Sequence, residues 1–88
     1  MQFVRTMKPA FSLFNHTQKV CGIDEIAWLD SVVPGARVGC LLHTPKKVFL
    51  GLDDDFSIEC ADGVRRKAEI TNSSVAVSGW VAAARVLL

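Results

Sequence analysis

Several features that are common in membrane, secreted and nucleic-acid-binding proteins are missing from this chain of 88 residues. No apolar run approaches the roughly 20 residues that a transmembrane helix needs. The first fourteen residues are interrupted by Arg5, Lys8 and Pro9, so they lack the continuous apolar region of a signal peptide. The formal net charge is +1, without the basic excess that is typical of a dedicated nucleic-acid binder. The sequence therefore predicts a cytoplasmic protein that does not contact a membrane.

The cysteines are few, and they lack the spacing of a disulfide framework or a metal site. Cys21, Cys40 and Cys60 are odd in number and form no C-x-x-C pair. Without an export signal they are expected to be unpaired thiols, at least two of them buried. Cys40 and His43 lie three positions apart, and on a strand such positions face opposite sides, so this pair cannot hold one ion. The sequence predicts no metal and no cofactor.

Motifs of common catalytic sites are also absent. The chain has no G-x-S-x-G, no phosphate-binding glycine loop and no paired carboxylates in an apolar setting. The acidic run Asp53–Asp55 lacks the ligand spacing of a calcium loop and is expected to be a solvated turn. A thiol nucleophile needs a lowered pKa and a nearby base, and no sequence pattern places His16 or His43 beside a thiol. The sequence therefore favours a protein without enzymatic activity and leaves an enzyme whose site is assembled in space as an alternative.

Apolar residues, by contrast, are abundant. Half of the residues are hydrophobic and the mean hydropathy is +0.29, which is high for so small a chain. The length predicts one domain over residues 1–88, and a domain of this size buries only roughly 60–65% of its unfolded surface. Some apolar surface is then expected to be covered by another subunit. We predict a homo-oligomer, most simply a two-fold dimer. The alternative is that Phe11, Leu13 and Phe14, with the helix that carries Trp28, cover the apolar face within one chain.

Residues 1–35 are predicted to form an N-terminal segment that ends in a short helix. Asp24 is a suitable N-cap for the backbone N–H groups of a first helical turn. Ile26, Leu29 and Val33 follow at the spacing of one apolar helical stripe. These signals predict a helix of about two to three turns.

From residue 36 onwards the hydrophobic period changes from that of a helix to that of a strand. Residues 36–43 and 48–52 are predicted to form a hairpin around a turn at 44–47. Both faces of this hairpin are apolar, with Leu41 and Phe49 on the outer one. The residues predicted for the oligomer interface are Leu41, Phe49, Trp80, Val86 and Leu88.

A second hairpin is predicted around a three-residue loop at 61–63. This register sets Glu59 opposite Arg65, a favourable cross-strand pair, and it requires a left-handed residue that Gly63 supplies. It also points Arg66 inward, so Arg66 is expected to lie at the mouth of a barrel or to pair with a carboxylate.

The chain ends in GWVAAARVLL, residues 79–88, which has features of both a helix and a closing strand. As a helix it is favoured by its alanines; as a barrel closure it makes one tight turn at 82–84 before a last strand. This ending resembles the GWxPxxYV close of SH3 domains, whose chain turns through a short 3₁₀ helix into the final strand. In this chain Ala82 occupies the position of the SH3 proline, and Arg85 occupies that of the tyrosine. The resemblance therefore implies an SH3-like barrel without SH3-type binding of proline-rich ligands.

The basic residues fall into two groups. Lys46 and Lys47 lie at the tip of the first predicted hairpin, and Arg65, Arg66 and Lys67 begin a strand of the second. If the hairpins are neighbours, the five residues form one cationic patch that can bind phosphate or carboxylate. No tyrosine is present and no aromatic residue alternates with these charges, so a platform for stacking bases is not predicted.

Together these observations predict an α+β protein, in which a short N-terminal helix (within 1–35) packs on a small antiparallel, partly closed SH3-like barrel (36–88). The predicted function is a small non-enzymatic interaction module that binds a protein or small ligand and self-associates. Two alternatives remain: a regulatory nucleic-acid-binding protein that uses the basic hairpins, and a small thiol- or carboxylate-dependent enzyme. Salt-dependent retention on heparin favours the first alternative, and rapid modification of one cysteine at neutral pH favours the second.

Overall fold

The computed structural model describes residues 11–88, which fold into seven β-strands. The strands are β1 (Phe11–Asn15), β2 (Gln18–Ile23), β3 (Glu25–Trp28), β4 (Arg37–Thr44), β5 (Phe56–Glu59), β6 (Arg65–Ala76) and β7 (Gly79–Leu87). No helix occurs within residues 11–88, so the predicted α+β class is wrong and the fold is all-β. A helix able to cross a membrane is accordingly not found in this part of the chain. The beginning of the predicted N-terminal segment, before Phe11, lies outside the described residues.

The strands form one antiparallel sheet whose two ends are joined by a single residue. Their order is β2-β1-β5-β6-β7-β4-β3. β2 and β3 are the first and last strands of this order, and in the chain Asp24 alone separates them. The two edges of the sheet are therefore next to each other at Asp24. The backbone N–H of Asp24 donates to the carbonyl oxygen of His43 at 2.8 Å, which extends the pairing of β3 with β4. The sheet therefore curls until its ends meet at Asp24, and this curling encloses the core.

The segment predicted as a helix is strand β3 followed by an irregular connection. β3 pairs along its whole length with β4, and the N–H of Leu29 donates to the carbonyl oxygen of Gly39 at 2.9 Å. The helix signals are local, and an N-cap such as Asp24 contributes only about 0.5–2 kcal/mol. Pairing with β4 instead satisfies the backbone groups and packs Ile26 against the core. Tertiary pairing therefore overrides the local preference for a helix.

The predicted hairpin of residues 36–52 is correct only in its first strand. β4 has four alternate residues buried, which are Val38, Cys40, Leu42 and Thr44. It pairs with β3 and β7, whereas residues 45–55 form a loop. Val48 is buried, and its N–H donates to Ser73 Oγ at 3.3 Å. Leu50 and Leu52, which the alternation placed inside, are 48% and 105% exposed.

The hairpin between β5 and β6 has the predicted register. Glu59 lies opposite Arg65, and their side chains form an ion pair at 3.3 Å. Gly63 has a φ of 80°, the left-handed conformation that the three-residue loop requires. Arg66 forms an ion pair with Asp62 at 3.3 Å, which fulfils the expectation that it needs a carboxylate. The register of this hairpin, its three-residue loop and the left-handed conformation of Gly63 are therefore all confirmed.

Replacing Gly63 by valine is expected to lower the free energy of unfolding by about 1 kcal/mol or more, because a β-branched residue is strained at positive φ. Urea unfolding measures the change. Gly22→Val is the control, since a Cβ at Gly22 would meet no atom within 4 Å. An equal loss of stability in the two variants would contradict the prediction.

Residues 79–88 form neither a helix nor a tight turn. β7 is a continuous strand that pairs with β6 on one side and β4 on the other. Its buried side chains alternate with the strand period at Ala82, Ala84 and Val86. Pairing on both sides stabilises an extended backbone, and it outweighs the helix preference of the alanines. The turn that the SH3 ending makes at 82–84 is absent, while membership of an SH3-like class stays a prediction.

Candidate functional site

The hairpin of β6 and β7 carries exposed apolar side chains at its tip. Val75 lies opposite Trp80 across the hairpin and is 73% exposed, and Val77 in the turn is fully exposed. Phe49, from the loop of residues 45–55, is 77% exposed. We call Phe49, Val75, Val77 and Trp80 the tip surface.

Lys47 connects the two aromatic rings of the tip surface. Its Nζ lies 5.5 Å from the ring centroid of Phe49 and 5.6 Å from that of Trp80. A cation at this distance is attracted to the negative face of an aromatic ring. Lys47 is therefore within cation–π distance of both rings, which places the Phe49 ring of the loop near the Trp80 ring of the hairpin.

A cleft of about 330 Å³ lies where loop residues 50–55 pass over the outer face of the sheet. The charged side chains that line it are Arg37, Lys67, Arg85, Asp54, Asp55 and Glu69. Their formal charges cancel. Apolar contacts come from Leu50 in the loop and Leu87 in β7, both about half exposed.

Two arginines lie side by side on the cleft wall. Arg37 faces Leu87 and Arg85 faces Gly39 in the ladder of β4 and β7, so the arginines are diagonal neighbours on one face. Diagonal neighbours are about 7–8 Å apart, within reach of long side chains. Glu69 faces Arg85 from β6. Within residues 11–88, neither arginine forms an ion pair.

The acidic side of the cleft is held by polar contacts with β1 and β6. Asn15 Nδ2 donates to Asp54 Oδ1 at 2.7 Å, and the N–H of Gly51 donates to Asp54 Oδ2. Lys67 Nζ lies 3.8 Å from Asp55 Oδ1. These contacts tie the loop to the sheet and give the cleft its second wall.

Of the residues that line this cleft, Lys67 alone was predicted from the sequence as part of a binding site. Arg37 and Glu69 occupy outward positions of strands that the sequence predicted. Arg85 lies in the ending that was predicted as a helix or as a tight turn before a last strand, so no signal placed it beside them. They meet because β7 lies between β4 and β6. Neither pairing could be inferred, since β4 was expected to pair with residues 48–52.

The five basic residues predicted as one patch lie in two places. Arg65–Lys67 begin β6, whereas Val48, the neighbour of Lys47, contacts Ser73 near the other end of that strand. At about 3.3 Å per residue, roughly 25 Å separate the two positions along the strand. The structure does not bring the two basic groups together.

The cations at the start of β6 are locally balanced by carboxylates. The ion pairs are Arg65–Glu59 at 3.3 Å, Arg66–Asp62 at 3.3 Å and Lys67–Asp55 at 3.8 Å. The Arg65 guanidinium also stacks 3.8 Å from the centroid of the Phe14 ring. Two hydrogen bonds lower the pKa of Asp62. The larger effect comes from the N–H of Val64 and the smaller one from the side chain of Arg66. Anion binding by these three residues stays a prediction.

The predicted interface residues differ in accessibility. Phe49 is exposed, Leu41 is 37% exposed, and Trp80 and Leu88 are half-buried. Val86 is 1% exposed and belongs to the core, so a second molecule cannot reach its side chain. Self-association through the other four residues stays a prediction.

All three cysteines are unpaired, and Cys21 and Cys40 are buried, which confirms the prediction for the thiols. Burial raises the pKa of Cys40 to about 11 and also raises that of Cys21. A raised pKa disfavours the thiolate, which is the nucleophilic form. These two thiols are therefore not activated for catalysis. Residues 11–88 also contain no cluster of three His, Cys, Asp or Glu side chains arranged to hold a metal ion.

No protein-family model matches the chain, and neither a curated protein nor a solved structure is significantly similar to it. Arguments about function therefore depend on the tip surface and on the cleft.

Proposed function

We propose that this protein is a small non-enzymatic interaction module that binds a protein or a small ligand and associates with itself through the tip surface. The observation that carries the proposal is the cluster of Phe49, Val75, Val77 and Trp80, which exposes apolar surface at one place. Phe49 is exposed and Trp80 is half-buried, and aromatic residues with accessible surface are typical of the centres of protein interfaces. The unpaired cysteines are compatible with the reducing cytoplasm that the sequence predicts.

A second copy of the chain is the partner that best fits the tip surface. Residues 71–76 of β6 pair with β7 on one side, while β5 pairs with β6 only as far as Lys67. Charged residues and prolines usually prevent pairing at a strand edge, and segment 71–76 contains neither. An antiparallel pairing of this edge with itself obeys two-fold symmetry, the commonest symmetry of homo-oligomers.

The two alternative functions have weaker support. The separation of Lys46 and Lys47 from Arg65–Lys67, and the carboxylates paired with the latter, do not favour a continuous cationic surface for nucleic acid among residues 11–88. The raised pKa values of Cys21 and Cys40 disfavour a thiol-dependent enzyme. Neither alternative gains a specific observation from the fold.

Sedimentation equilibrium at micromolar concentration tests self-association. We expect the wild-type protein to have twice the chain mass of 9.6 kDa. Val75→Lys places a charge at the edge and is expected to weaken the dimer at least ten-fold. Val64→Lys is the matched control, because Val64 is also exposed but lies in the distant turn between β5 and β6.

Urea unfolding of both variants shows whether they remain folded. A wild-type protein that stays monomeric up to about 100 µM would rule out the dimer, since its affinity would then be weaker than that of ordinary stable homodimers. Equal weakening by the two substitutions would show that the tip surface is not the interface.

A further inference from the structure

We infer that the cleft binds a small organic carboxylate, whose charged group is held between Arg37 and Arg85. The inference names the chemistry of the small ligand in the proposed function, and it rests on the binding part of that proposal but not on self-association. The cleft lies on the outer face of β4, β7 and β6, and none of its lining residues belongs to the tip surface.

The arginine pair is the feature that selects an anion. Arg37 and Arg85 are diagonal neighbours on one face of the sheet, and neither forms an ion pair with any residue in the range 11–88. A guanidinium group offers several N–H donors in one plane, a geometry that matches the two oxygens of a carboxylate. Two such groups side by side can each bind one or both oxygens of the same ligand.

The acidic residues of the cleft restrict the charge of the ligand. Asp55 is paired with Lys67, and Asp54 is held by Asn15. The groups that remain without an ion pair are Arg37, Arg85, Asp54 and Glu69, whose formal charges cancel. A ligand with a single negative charge occupies the arginine pair and adds only one charge to this neutral site. A phosphate, which carries more charge at neutral pH, is repelled more strongly by the three nearby carboxylates.

The remaining surface sets the size and polarity of the ligand. Leu50 and Leu87 provide apolar contacts beside the arginines. A volume of about 330 Å³ is near the lower limit for small-molecule sites, which span roughly 300–1,000 Å³. The site therefore fits a metabolite-sized molecule that has one carboxylate and a short apolar body.

Titration of the isotope-labelled full chain with benzoate, followed by NMR, tests the inference. Benzoate is the probe because it has one carboxylate and a compact apolar ring. We expect saturable shifts of the amide signals of Gly51, Glu69 and Arg85, with a Kd of about 1 mM for so small a ligand. Arg37→Gln and Arg85→Gln are each expected to weaken binding at least ten-fold.

Lys19→Gln is the matched control, because Lys19 is an exposed cation of β2 outside the cleft, and it is expected to leave benzoate binding unchanged. Benzylamine, which has the same ring and the opposite charge, is expected to cause no saturable shift. Unchanged affinity in both cleft variants, or equal binding of benzylamine, would overturn the inference. Tighter binding of inorganic phosphate than of benzoate would overturn the preference for a carboxylate.

The two proposals fail separately. A dimeric protein that does not bind benzoate at these residues would refute the carboxylate site and leave self-association intact. A monomeric protein whose benzoate binding depends on Arg37 and Arg85 would refute self-association and leave the carboxylate site intact.

Discussion

Leu42→Ala is expected to lower the free energy of unfolding by about 2–5 kcal/mol, the range found for large-to-small substitutions in well-packed cores. Leu42 has no exposed surface and belongs to the core cluster enclosed by the sheet. Removing its side chain leaves a cavity that closes only in part, because the backbone of β4 is held by ladders with β3 and β7 on both sides. Urea unfolding followed by tryptophan fluorescence measures the loss.

Leu52→Ala is the matched control, since the same atoms are removed from a side chain that is 105% exposed. Its effect is expected to lie within about 0.5 kcal/mol of zero. The alternation of the sequence placed both leucines inside, so this comparison also tests the loop against the predicted strand at 48–52. A difference below about 1 kcal/mol between the two variants would contradict the fold described above.

Gly79→Ala is expected to lower the free energy of unfolding by about 2–4 kcal/mol. Gly79 has a φ of 146°, where an L-residue is strained. A Cβ built at this position lies 2.7 Å from the carbonyl oxygen of Thr44, so the backbone of β4 or β7 has to move. Overpacking of this kind costs about 1–3 kcal/mol in addition to the strain. Thermal and urea unfolding both measure the effect.

Gly22→Ala provides the comparison for Gly79→Ala, because the added methyl group meets no atom within 4 Å. It is expected to change stability by less than about 1 kcal/mol. Since Trp80 follows Gly79 directly, the shift of β7 is also expected to weaken the proposed dimer. If Gly79→Ala unfolds at the same urea concentration as Gly22→Ala, the close approach of β7 to Thr44 does not exist.

The sequence alone determined those features whose physical cause is local. The hairpin of β5 and β6 depends on a short loop, on the left-handed conformation of Gly63 and on the pair of Glu59 and Arg65, all within a few residues of one another. The alternation of β4 likewise predicted which of its side chains are buried. The odd number of cysteines predicted unpaired thiols, because their spacing offered no framework for bonds.

Only the tertiary structure decided the fold class and the two candidate sites. The segment after Asp24 carries helix signals, but it forms a strand because its backbone pairs with β4, whose residues lie 12 to 18 positions away in sequence. The alanines of β7 are likewise extended because β4 and β6 pair with them on both sides. The cleft joins Arg37, Glu69 and Arg85 across three strands, and the tip surface joins Phe49 to Trp80 through Lys47. Such contacts depend on which strands become neighbours. Burial of the whole core determines that order, and no local sequence pattern does.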